Sequence, residues 1–214
     1  MALIINEIFH SIQGESTFAG FPCVFVRLTG CNLRCSYCDT RYAYSEGQPL
    51  SVKQIVEQVA AFGCNLVEIT GGEPLLQKDT GLLVETLLGK GFNVLMETNG
   101  SLDISRINPA CIKIIDIKCP DSGEADQCDL TNLQRMSSAD QIKFVISSRK
   151  DYRYAKKMMA RIPAKVPSGN VLFSPVWDRL PGRELAAWLL EDNLSAKLQL
   201  QLHKVLWPNV ERGV

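Results

Sequence analysis

The chain is 214 residues long, with 23 Lys plus Arg set against 23 Asp plus Glu and a hydrophobic share of 46%. That length fits one domain with a sizeable core, and the balance of composition and charge excludes disorder, a collagen-like repeat and the broad basic footprint of a nucleic-acid-binding surface. The departure from an ordinary composition is eight cysteines: Cys23, Cys31, Cys35, Cys38, Cys64, Cys111, Cys119 and Cys128. The first residues, Met1-Ala2-Leu3-Ile4-Ile5-Asn6-Glu7, lack the basic region of a secretory signal, and no window has the apolar length of a transmembrane helix. The expected compartment is therefore the cytoplasm, away from membranes, where closely spaced thiols hold metal or do redox work more often than they form disulfides.

In chain order, the apolar, β-branched residues 23–29 predict a first strand. Ser51-Val52-Lys53-Gln54 reads as a capping box that opens a helix through Phe62, with Gly63 as its stop. A strand at residues 66–70 and a helix at 82–90 follow, then strands at 92–98 and 112–117. Residues 120–140, rich in Asp, Ser and Asn, predict a long surface loop. Beyond it come a strand at 142–147, a helix at 152–161, a strand at 171–173, a helix at 183–190 and a last strand at 198–203, in which His203 is expected to be buried. Alternating strands and helices imply right-handed βαβ units and a mostly parallel sheet. A complete eight-fold barrel takes about 250 residues, so a single domain over residues 1–214 should form an incomplete barrel or a curved open sheet.

The segment Gly30-Cys31-Asn32-Leu33-Arg34-Cys35-Ser36-Tyr37-Cys38-Asp39-Thr40 follows directly on the first predicted strand, at the end where parallel α/β folds place their chemistry. Its spacing lets one tight loop aim three thiolates at one centre. A closed structural zinc site or a fully ligated iron–sulfur cluster takes four ligands, so three leave a position open. On spacing alone a zinc site with a remote fourth ligand (Cys23, Cys64 or His10) stands level with an iron–sulfur cluster. The other five cysteines show no ligand spacing and read as small buried hydrophobes, with Cys119 and Cys128 weak candidates for an auxiliary cluster.

The triad, with Tyr37 before the third cysteine, resembles the radical S-adenosylmethionine superfamily. So does Leu66-Val67-Glu68-Ile69-Thr70-Gly71-Gly72-Glu73-Pro74, a strand running into Gly-Gly-Glu-Pro. Glu97-Thr98-Asn99-Gly100 is similar to a further family element, but reads equally well as a strand-ending turn. Within the superfamily, Ser11-Ile12-Gln13-Gly14-Glu15, Phe25-Val26-Arg27-Leu28-Thr29-Gly30-Cys31, Cys38-Asp39-Thr40 and the closing Gln199-Leu200-Gln201-Leu202-His203-Lys204 resemble the 7-carboxy-7-deazaguanine synthase family over nearly the whole chain.

That resemblance implies an α/β fold, an incomplete, TIM-like parallel β/α barrel. It also implies conversion of 6-carboxy-5,6,7,8-tetrahydropterin to 7-carboxy-7-deazaguanine with loss of ammonia. Cys31, Cys35 and Cys38 would ligate a [4Fe–4S] cluster. Tyr37, Asp39, Gly72, Glu73, Asp116 and Lys118 would contact S-adenosylmethionine, and Ile12, Gln13, Gly14, Arg27 and Thr70 the pterin. Thr40 would give an oxygen to Mg²⁺. A flavodoxin or ferredoxin would donate electrons, and the chain would form a homodimer. The residues also admit plainer roles: Arg27 as a surface cation, Gln13-Gly14 as a hairpin turn, Thr40 as a helix N-cap and Lys118 as a snorkelling lysine. The runner-up enzyme is a glycyl-radical-enzyme activase, which needs a large protein partner and leaves residues 12–14 and Arg27 unexplained. A zinc-binding interaction module is the alternative from another class.

Overall fold

The computed structural model describes residues 2–214. Its strands are β1 (Ala2–Ile12), β2 (Pro22–Leu28), β3 (Gln48–Ser51), β4 (Leu66–Gly71), β5 (Asn93–Thr98), β6 (Ile112–Asp116), β7 (Gln141–Ile146), β8 (Val171–Pro175) and β9 (Lys197–Leu198). The helices are α1 (Val52–Ala61), α2 (Thr80–Gly89), α3 (Asn132–Arg135), α4 (Arg149–Met159), α5 (Gly182–Glu191) and α6 (Leu202–Leu206). All the strands join one sheet in the order β3-β1-β2-β4-β5-β6-β7-β8-β9. From β2 to β9 every neighbouring pair is parallel, whereas β1 pairs antiparallel with both β2 and β3. The sheet is not closed: β3 and β9 remain as edges. No described helix is long and apolar enough to cross a membrane.

Period-two alternation within the strands builds two apolar layers. In β2, Val24, Val26 and Leu28 face the main core under α1 and α2, while Cys23 and Phe25 join Phe9, Leu66, Leu95 and Ile114 on the other face. The capping box at Ser51 forms as the sequence predicts: Gln54 N donates to Ser51 Oγ at 3.3 Å and Ser51 N donates to Gln54 Oε1 at 2.9 Å. Cys23, Cys111 and Cys119 are buried, and Cys64 and Cys128 are half-buried against the core.

Three features differ from the sequence expectation. Strands β1 and β3 have no counterpart in it, because Asn6, Glu7 and His10 interrupt the apolar pattern of β1 and a bulge between Ile5 and Glu7 breaks its register. The expected strand at 198–203 shrinks to the two residues of β9, and His203 is a half-buried residue of α6. The loop at 120–140 holds two 3₁₀ turns, Pro120–Ser122 and Ala125–Gln127, and the single turn of α3.

Candidate active site

The C-terminal ends of β2, β4, β5 and β6 open onto a cavity of about 480 Å³. The loop after β2 carries the cysteines, and the turn after β4 packs directly against it. A Cβ on Gly72 would lie 2.0 Å from the Gly30 carbonyl oxygen and 2.8 Å from Cys31 Cβ, and one on Gly71, whose φ is +137°, would lie 2.1 Å from the Leu28 carbonyl oxygen. Only glycine permits that approach. Gly72 N donates to Leu28 O at 3.1 Å and Glu73 N to Gly30 O at 2.7 Å, so the glycine turn and the cysteine loop are hydrogen-bonded together.

Cys31, Cys35, Cys38, Tyr37, Asp39, Thr40, Ile12, Gln13, Gly14, Arg27, Thr70, Gly72, Asp116 and Lys118 all line this cavity. Glu73 is the exception. Its carboxylate, 0% exposed, accepts from Leu75 N at 3.0 Å, Asn99 N at 2.7 Å and Thr98 Oγ1 at 2.9 Å, which ties the turn after β4 to the end of β5 from behind the cavity wall.

The plainer roles can be set against this geometry. Arg27 points inward; its Nε donates to Glu7 Oε1 at 2.7 Å, and among the described residues its two terminal nitrogens have no protein partner. Lys118 is paired with Asp116 at 2.6 Å inside the cavity, not snorkelling at the surface. Thr40 stands at the N-cap position of the 3₁₀ turn Arg41–Tyr44 but makes no capping bond; its hydroxyl donates to Asp39 Oδ1 at 2.9 Å. Gln13 and Gly14 begin a long connection, residues 13–21, and not a tight hairpin turn. Glu97-Thr98-Asn99-Gly100 does both things expected of it: the first three line the cavity, and Gly100, at φ +71°, turns the chain.

The cavity floor holds charged residues that the motifs did not single out. Lys143 bonds Glu15 at 2.7 Å and also Glu97, and lies 3.8 Å from Asp116. Burial pushes Glu15 up, but Lys143, His203 and Gln201 together outweigh it and bring the carboxyl down to about 2. Glu68, whose Oε2 accepts from Gln13 Nε2, has no ion pair with that lysine; burial, then the Glu97 and Glu15 charges, push it up to about 8 against the opposing Lys143 charge. The sequence did carry a signal: Glu68 within Leu-Val-Glu-Ile-Thr and Lys143 within Gln-Ile-Lys-Phe-Val-Ile are charges inside otherwise apolar strands, which mark a strand face that lines a polar cavity. Gln201, His203 and the terminal Val210, Glu211 and Val214 also reach the cavity from distant sequence.

Glu68 sets a pH dependence. Its folded value lies above the unfolded value of about 4.5, so its contribution to stability is complete below about 4.5 and is lost as pH rises through about 8. Glu68→Gln keeps the neutral acceptor and removes the titration. The melting temperature of the variant relative to the wild type is therefore expected to rise between about pH 5 and pH 9; a constant difference in thermal melts across that range would refute the assignment.

The three thiols fit a metal cluster by chemistry. All are free, half-buried and on one cavity wall, and Leu33 N donates to Cys31 Sγ at 3.4 Å. Burial raises Cys35 to about 11, with Lys118 opposing, so its thiol is protonated until a metal draws off the proton. As placed, no three His, Cys, Asp or Glu side chains among the described residues form a ready metal cage. Two buried polar atoms beside the thiols, Tyr37 Oη and Asp116 Oδ1, have no hydrogen-bond partner among the described residues, the condition a polar ligand relieves. The fourth ligands of a zinc site do not fit: Cys23 lies at the start of β2, Cys64 precedes β4 and His10 of β1 pairs opposite Val24, all at the end of the sheet about 17 Å of strand from the cysteine loop.

An open parallel β/α sheet with three thiols beyond its first parallel strand is the architecture of the radical S-adenosylmethionine class, and the family described as the Radical SAM superfamily matches residues 25–117. The 7-carboxy-7-deazaguanine synthase of Koribacter versatilis is 40% identical over 98% of this chain and 99% of its own length, and that of Chlorobaculum tepidum is 43% identical over 99% and 97%. The crystal structure of QueE from Escherichia coli covers 94% of both chains with a TM-score of 0.77 at 24% identity, a likeness of fold. The chain belongs to the 7-carboxy-7-deazaguanine synthase family.

Proposed function

We propose that this chain is the lyase that converts 6-carboxy-5,6,7,8-tetrahydropterin to 7-carboxy-7-deazaguanine with loss of ammonia, a step toward deazapurines such as the queuosine precursor. The observation that carries the reading is the meeting, in one cavity, of three free thiols with a half-buried arginine whose terminal nitrogens have no hydrogen-bond partner among the described residues. Cys31, Cys35 and Cys38 would hold a [4Fe–4S] cluster with one position left for S-adenosylmethionine. With that cluster bound, the site gains the one-electron chemistry that cleaves S-adenosylmethionine to a 5′-deoxyadenosyl radical, the abstractor of hydrogen from C6 of the pterin.

The chain's own residues bind and orient. Tyr37 and Asp116 offer their unpartnered oxygens to the cofactor, with Asp39, Lys118 and the Gly72 backbone beside them, and Glu73 fixes the turn that carries Gly72. Arg27 suits the pterin carboxylate, since a planar guanidinium grips two oxygens at once. Ile12, Gln13, Gly14 and Thr70 line the same space, and the Glu15 and Glu97 carboxylates face a ring rich in N–H groups. Thr40 offers an oxygen to Mg²⁺, an ion that takes its other ligands from substrate and water. A flavodoxin or ferredoxin as electron donor, a homodimer and a cytoplasmic setting complete the reading.

The test is anaerobic purification, assay of iron and sulfide, and incubation with reductant, S-adenosylmethionine and the carboxypterin, with product detection by mass spectrometry. Stoichiometric zinc without sulfide would overturn the cluster; a cluster-loaded, cofactor-cleaving protein that yields no deazaguanine would overturn the substrate. Arg27→Ala is expected to keep the cluster and raise KM for the carboxypterin roughly 10- to 100-fold, the loss of a charged hydrogen-bond pair. An unchanged KM would count against the carboxylate role.

A further inference from the structure

Residues 13–21 leave β1 and cross the open side of the sheet toward β7 and β9 before returning to β2. Among the described residues no strand pairing closes that side. Amide side chains do. Gln141 in β7 donates from Nε2 to Thr17 Oγ1 at 2.8 Å and accepts from Thr17 N at 2.8 Å. Gln199, just beyond β9 and 3% exposed, accepts from Ser16 N at 2.7 Å through Oε1 and donates to Glu15 Oε2 at 3.2 Å through Nε2. Gln201 Nε2 donates to Glu15 Oε1 at 2.8 Å, and Leu202 N donates to Gly14 O at 3.0 Å. The segment 199–202 thus runs antiparallel along residues 14–16. Its approach needs Gly14, where a Cβ would lie 2.4 Å from His203 Nδ1. Ser16 is 1% exposed at φ +65°, a conformation that a residue with a side chain keeps only when its surroundings enforce it.

We infer that Gln199 is a positioning residue for the substrate site: without lining the cavity itself, it pins the strap of residues 13–21 through Ser16 and Glu15, and so presents Gln13, Gly14 and Glu15 to the pterin. The inference rests on the reading of residues 12–14 as substrate contacts. A carboxamide is the side chain this requires, since it has one acceptor for the Ser16 N–H and one donor for the Glu15 carboxylate. Glutamate loses the donor and sets a second anion against Glu15. Leucine leaves the Ser16 N–H without its acceptor and removes one of the donors to Glu15, which keeps Lys143 and Gln201. The polar alternation of Gln199 and Gln201, which reads as a strand in sequence, is explained by this side-chain pairing with the strap.

The experiment compares Gln199→Glu and Gln199→Leu with wild type as cluster-loaded protein. Gln199→Glu is expected to raise KM for 6-carboxytetrahydropterin about tenfold, while KM for S-adenosylmethionine and the 5′-deoxyadenosine formed without pterin stay unchanged. Hydrogen exchange at the Ser16 amide should quicken in Gln199→Leu, which removes its acceptor, while β8 keeps its protection. Unchanged exchange at Ser16 in Gln199→Leu would overturn the pinning role, whatever the substrate is. Faster exchange at Ser16 with an unmoved pterin KM would overturn the link to residues 12–14. Loss of protection throughout β8 with both KM values raised together would show a structural role only, and would also overturn the inference.

Discussion

Replacing Cys35 by alanine is expected to abolish iron and sulfide binding and to bring reductive cleavage of S-adenosylmethionine to background, while the protein remains folded. The thiol is half-buried on the cavity wall and outside the apolar core, so the change in unfolding free energy should stay within about 1 kcal/mol. Three ligands are the minimum for the cluster to keep one position open, and two thiolates would not hold it. Cys128→Ala is the control. Cys128 packs against the main core and donates weakly to Gly100 O at 3.8 Å, so that variant should keep its iron. Iron and sulfide assays with the ultraviolet-visible spectrum read the difference; a cluster retained in Cys35→Ala, or lost in Cys128→Ala, would reverse the assignment of roles among the thiols.

Lys143→Met should cause the largest loss of stability of any single substitution in the cavity. The ammonium, 6% exposed as a side chain, is the cation that Glu15 and Glu97 share, with Asp116 3.8 Å away. Removing one partner from a buried ion pair leaves uncompensated charge and costs about 3–5 kcal/mol, roughly a 10 °C drop in melting temperature for a domain of this size. Because the folded Glu15 carboxyl lies near 2 and the unfolded one near 4.5, the Glu15–Lys143 contribution is present above about pH 4.5 and fades as pH falls toward 2. The gap between variant and wild type in thermal melts should therefore narrow below about pH 4.5. Equal stability at neutral pH would mean that Glu15 and Glu97 take up protons as readily as they hold the lysine.

The parallel strands and their helices were legible because each carries a complete local signal: β-branched runs with turn residues at their ends, and a capping box at Ser51 that forms as written. Strand β1 was not, since its polar residues Asn6, Glu7 and His10 are tolerated through pairing with β2 and β3. The site divides in the same way. The cysteine triad and Gly71-Gly72 were readable as short motifs, and Arg27 through its place four residues before Cys31.

The sequence by itself determined which thiols share one loop, because Cys31, Cys35 and Cys38 lie within eight residues directly after a β-branched strand, and it marked the glycine turn that follows the next strand. Only the tertiary structure decided what surrounds them. It turned Glu73 away from the cavity, gathered Glu15, Glu68, Glu97 and Asp116 near Lys143 from four strands and one loop, and bound residues 14–16 to residues 199–202. Contacts between groups more than a hundred residues apart leave no periodic trace in the chain, since their partners are set by the register of the sheet.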